Sequence, residues 1–199
     1  MKNLYPKIIF KYSWIYDQIW KETPLDKKAK KYPSQRKILN FIKKVEKLWR
    51  RAEKKILQEL SIITHLKWKS KFINCYVVGR CTPFSDPLTL PVYEKLPDYF
   101  VDVLTHELIH NLFTQNSKRM KKVLRYLRQK YPKETQKTRV HVLVHAIHSY
   151  IYYEFFDEKH LKRDIKSMNR YPDYKKSWQI VQKQGYKNII NEFVKRIKK

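Results

Sequence analysis

Two histidines stand four residues apart, with a glutamate directly after the first, in His106-Glu107-Leu108-Ile109-His110. Four residues on a helix amount to a rotation of about 40°, so the two rings share one face, one turn apart. Imidazoles so placed hold one tetrahedral Zn2+ at about 2.0–2.1 Å each. Glu107 falls about 100° further round, where it reaches a zinc-bound water rather than the ion. The expected chemistry is hydrolysis. The ion lowers the water's pKa to about 7, and Glu107 takes its proton as general base, then passes it to the leaving amine. With 7 histidines in 199 residues, chance produces this spacing in roughly 1% of such chains. The flanks lower that figure: Leu108 and Ile109 are apolar, and Val101, Leu104, Leu108 and Leu112 make a stripe opposite the histidines. Asp102, one turn before His106, is placed either to accept the second ring N–H or to stand as a helix-start acid.

Such a site needs a third donor. Of the five other histidines, His65 and His160 stand apart, while His141, His145 and His148 share the segment VHVLVHAIHSYIYY. On a helix His145 lies about 40° from His141, His148 about 20° to its other side, and Tyr152 about 20° from it. Buried histidines each need a partner, so a histidine stripe on an apolar helix points to a ligand. His145, flanked by the other two, is the expected third ligand, with His141 the alternative. His148 and Tyr152 are candidate donors to a developing oxyanion. Glu154 faces away, about 220° round from His141. Cys81 offers a ligand from a strand, although for Cys75 and Cys81 the plainer reading is a small buried apolar side chain.

The His106-Glu107-x-x-His110 motif resembles the active-site helix of zincin metallopeptidases. The preceding strand and proline-rich extended stretch resemble the small sheet and edge strand of that family, and the histidine-bearing segment resembles its second ligand helix. The resemblance covers about residues 71–157. It implies a zincin-like α+β fold, a Zn2+ cofactor, a peptide or protein substrate, and an extended substrate paired with an edge strand around Leu88, Thr89 and Leu90. The family's commoner extensions after His110 are missing, so no subgroup is indicated.

These residues must be positioned by a mostly helical chain. Ser34 is a fitting N-cap for a helix over 35–60 with an inward stripe from Ile38 to Leu60. Residues 4–20 read as a short helix or an extended lead-in, and 21–33 as a loop. Residues 71–82 read as a strand, and 83–93, with three prolines, as an edge strand or loop. Asp98 caps a helix over 99–115; a basic helix follows over 117–130. Thr138 caps an apolar helix over 139–157, and two further helices flank Gly185. The expectation is one domain over 1–199: a helical extension to about 65, a zincin-like core over 71–157, and C-terminal helices over 158–199.

Lys and Arg number 45 against 18 acids, a net charge of +27 spread along the whole chain. It favours polyanions such as nucleic acid, or simply keeps lysine-rich surfaces solvated. Two cysteines do not make a disulfide framework. No run of 18 apolar residues and no convincing signal peptide occur, so a cytoplasmic protein is expected. The leading expectation is a zinc metallopeptidase. The alternatives are a nucleic-acid-associated zinc hydrolase, acting on DNA-bound proteins or in RNA processing, and a basic nucleic-acid-binding protein whose zinc is structural.

Overall fold

A computed structural model describes residues 5–23 and 31–198. Residues 24–30 of the expected loop lie outside the described residues, as do 1–4 and 199. The protein is α+β and mostly helical, with a small mixed four-stranded sheet. It forms two compact units, Met1–Lys55 with Ser70–Asn111, and Ile56–Lys69 with Leu112–Lys199.

In the first unit the lead-in is both strand and helix: β1 (Lys7–Lys11) precedes α1 (Trp14–Glu22), capped by the Ser13 hydroxyl. The sheet adds β2 (Phe72–Val78), β3 (Phe84–Ser85) and β4 (Leu88–Pro91) in the order β1-β2-β4-β3. The strand around Leu88, Thr89 and Leu90 is therefore not an edge, which corrects the expectation. β2 pairs parallel on one side of it, and β3 pairs antiparallel on the other, opposite Leu88 and Thr89. Its prolines fit an interior strand because Pro87 precedes it and Pro91 ends it, leaving the ladder N–H groups between them intact. Leu88, Thr89 and Leu90 are all buried.

Helix α2 (Gln35–Thr64) starts where Ser34 allows, with the Lys37 N–H donating to its Oγ at 3.4 Å. Its stripe buries Ile38, Phe41, Val45, Trp49, Ile56 and Leu60. Within the first unit α2 also covers the open side of β1. Glu53 Oε1 accepts from the Ile8 N–H at 2.9 Å and from Trp49 Nε1 at 3.0 Å, and Arg50 Nη2 donates to the Ile8 carbonyl at 2.8 Å. An outer strand presents unpaired backbone groups, and here two side chains of one helix satisfy a donor and an acceptor of the same residue. Asp17 makes a second clamp: its carboxylate accepts from Tyr32 Oη at 2.5 Å, Tyr12 Oη at 3.2 Å and the Gly79 N–H at 2.8 Å.

Helix α3 (Pro97–Gln115) begins at a proline, so Asp98 lies inside its first turn rather than ahead of it. The second unit holds α4 (Ser117–Lys130), α5 (Gln136–Phe155), α6 (Glu158–Met168), α7 (Pro172–Gln184) and α8 (Tyr186–Lys198). Helix α5 is central, packing on α4, α6, α7 and α8, and every residue from His141 to Ser149 is buried. Its cap is Thr135, not Thr138: the Thr135 hydroxyl accepts from the Thr138 N–H at 3.0 Å. Gly185, at φ 79°, ends α7 as expected. Helix α6 opens the C-terminal helices expected over 158–199, and Asp157 caps it through the N–H groups of Lys159 and His160. Among the described residues no helix is long and apolar enough to cross a membrane.

Candidate metal centre

Val101 to Ile109 of α3 are buried without interruption, including Asp102, Thr105, His106 and Glu107. From Val101 to Ile109 the helix thus has no outward face; its polar residues there are enclosed together with the apolar stripe. The His106 and His110 rings lie 5.1 Å apart at 57°, the stagger expected one turn apart. Enclosure deprives Glu107 of solvation and pushes its carboxyl up to about 8. Asp102 is fully buried one turn before His106.

Ring nitrogens of His106, His110 and His141 lie within 4.8 Å of one another, close enough for one metal ion. His106 and His141 are buried and His110 half-buried. The third histidine of this group is His141, and His145 is not in it. The physical reason lies in what surrounds each ring on α5. His141 Nδ1 lies 2.8 Å from the Lys137 carbonyl. A carbonyl only accepts, so Nδ1 carries the hydrogen and Nε2 keeps the lone pair a metal needs. Burial holds this imidazole neutral, its pKa lowered to about 4. Tyr174 of α7 sets its ring against that of His141, at 4.4 Å and 84°.

His145 is engaged by α7 instead. It stacks on Trp178 at 4.2 Å and 8°. Ser177 Oγ donates to the Tyr174 carbonyl at 2.8 Å, which leaves the hydroxyl oxygen to accept from His145 Nδ1–H at 2.9 Å. Nothing in the sequence announced Tyr174, Ser177 or Trp178, which lie some thirty residues downstream. The Lys137 carbonyl was legible, being the i−4 neighbour of His141 on a helix.

His148 and Tyr152 are fully buried and stack on each other at 4.2 Å, among Phe156, His160 and Asp164 of the second unit. They sit in an aromatic and polar cluster beside α6. Glu154 is exposed. Cys75 is fully buried and Cys81 half-buried, and neither joins a disulfide. Burial pushes both thiols up, with the nearby charge of Glu107 adding to the effect on Cys81. Cys81 is not part of the histidine group. Asn111, next to His110, donates its amide to the Ser85 carbonyl at 3.0 Å and so ties α3 to β3.

Comparison with protein-family models, curated proteins and solved structures gives no match.

Proposed function

We propose that this protein is a zinc-dependent metallopeptidase in which His106, His110 and His141 hold the ion and Glu107 is the general base. The observation that carries this reading is the grouping of three imidazoles while a fourth, His145, is drawn off to Ser177 and Trp178. Three protein donors leave one tetrahedral position open for water, as in catalytic zinc sites, whereas structural sites are closed by four. The donor set fits the ion: a neutral His141, its tautomer fixed by a backbone carbonyl, presents the nitrogen lone pair that coordination requires. Zinc supplies a Lewis acid that polarises a carbonyl and acidifies water.

The chain's own residues do the rest. Glu107 removes a proton from the attacking water at a carboxylate oxygen and delivers it to the leaving nitrogen. Its buried position raises its basicity toward the working pH, which suits a group that must both take and return a proton. A cation beside it favours the ionised form that starts the cycle. Asp102, enclosed one turn before His106, would orient that ring. The likeness to zincins belongs to this proposal. It is supported by the motif, by the small sheet tied to α3 through Asn111, and by a third histidine from a separate helix.

Metal analysis of purified protein tests the ligand set. His106→Ala and His141→Ala are expected to lose stoichiometric zinc, and His145→Gln to keep it. Glu107→Gln is expected to keep zinc yet cleave a peptide library about 10²–10⁴-fold more slowly. Zinc lost from the His145 variant but kept by the His141 variant, or full activity without the Glu107 carboxylate, would overturn the assignment.

A further inference from the structure

The charge excess is spread evenly along the sequence, but the fold does not leave it so. Helix α4 carries Lys118, Arg119, Lys121, Lys122, Arg125, Arg128 and Lys130 and no acid. It packs against α8, which carries Lys187, Lys195, Arg196 and Lys198. The one carboxylate on the two helices, Glu192, is consumed at their junction: it pairs with Lys130 and accepts from Tyr126 Oη at 2.6 Å. Met120, Val123 and Leu127 of α4 point inward, as do Ile189, Ile190, Phe193 and Ile197 of α8. Lys118, Lys121, Lys122, Arg125 and Arg128 are exposed, and fall within an arc of about 120° on α4. Lys187, Lys195 and Lys198 are exposed on α8.

What this face lacks decides its partner. Among the described residues, no large apolar side chain is exposed on α4 or α8. A membrane-surface helix needs an apolar face to enter the lipid, and here that face is spent on the core. Single strands are held by stacking bases on exposed aromatic rings, and Tyr126 is instead covered by Arg196, 4.5 Å over its ring. What remains is an array of cations fixed on two packed helices. We infer that the α4–α8 face binds the phosphate backbone of double-stranded nucleic acid without reading its sequence. Contacts from lysine and arginine to phosphate carry affinity and position but no base information.

The test uses the full chain, with and without EDTA treatment, and fluorescence anisotropy on labelled 25-base-pair DNA duplexes of two unrelated sequences. Both duplexes are expected to bind equally, with log K falling linearly in log salt at a slope of about −4 to −5 for some five phosphates. Lys121→Glu/Arg125→Glu/Arg128→Glu is expected to weaken binding about tenfold or more at 100 mM NaCl and to flatten the slope. The matching change on the exposed side of α2, Lys43→Glu/Lys47→Glu/Arg51→Glu, is expected to alter it less than about twofold. Circular dichroism checks that each variant folds; the corresponding glutamine triple replaces any that does not. Equal losses in the two triples would reduce the effect to net charge and overturn the assignment. So would absence of binding at 50 mM NaCl, or tighter binding to single-stranded DNA or to phosphatidylserine vesicles. A duplex of RNA in place of DNA separates the two sources of the same backbone chemistry. Binding that survives EDTA stands apart from the peptidase reading, whichever way that reading falls.

Discussion

His148 shows how strongly burial governs a single residue here. Its ring is fully enclosed, stacked on Tyr152, with Asp164 Oδ2 3.8 Å from Nδ1 and His160 nearby. Desolvation dominates, helped by the nearby His160, and the pKa falls to about 3. The folded state keeps His148 neutral while the unfolded chain titrates near 6.5. The stabilisation is therefore complete above about pH 6.5 and is lost as pH falls toward 3, at up to about 1.4 kcal/mol per pH unit. Urea unfolding at pH 7, 6, 5 and 4 is expected to show that slope, and His148→Phe to flatten it. An unchanged slope in the variant would remove His148 from the account. The same local forces explain which site residues were legible. The spacing of His106, Glu107 and His110 is a property of the helix alone, so sequence carries it. His141 and His145 are equivalent by rotation. Only Lys137, Ser177 and Trp178 distinguish them, and two of those three arrive through tertiary packing.

At the scale of elements, β1 depends on α2. Glu53 accepts from the Ile8 N–H, from Trp49 Nε1 and from Arg50. Glu53→Ala leaves the strand's donor without its acceptor and the half-buried Arg50 with Glu46 and the Ile8 carbonyl, and is expected to cost about 1–3 kcal/mol, read by denaturant unfolding. Gly79 is a second point of close packing. A Cβ there meets Tyr32 Cε1 at 2.4 Å, and Asp17 holds that ring in place. Gly79→Ala is expected to destabilise, with part of the loss recovered by adding Tyr32→Ala; strictly additive effects in a double-mutant cycle would count against the clash. The long helices were legible because their three-four apolar spacing is strong, as over Ile38 to Leu60. The strand β1 was not, since five residues with lysine at both ends carry little alternation. The interior place of β4 is hidden in the sequence because proline shows its compatibility with a ladder only once register is known, and register is set by β2 and β3.

Across the whole molecule the balance of 45 basic against 18 acidic residues sets a self-repulsion that the fold must bear. Screening acts on this repulsion more than on the scattered surface ion pairs, such as Lys37–Glu94 and Lys162–Glu158, which contribute little. The thermal midpoint is expected to rise as NaCl goes from 20 to 300 mM; a fall would mean that attractive pairs dominate. Composition announced this charge but not its sorting, because nothing in sequence order tells that α4 and α8 lie side by side. Both thiols of the chain, finally, lie in the sheet-bearing unit, Cys75 fully buried and Cys81 half-buried, and burial pushes the pKa of each up. A disulfide reagent added to native protein therefore meets little thiolate, and the colour due to Cys75 develops only as the chain opens. Its time course is a built-in clock of unfolding, free of any added label.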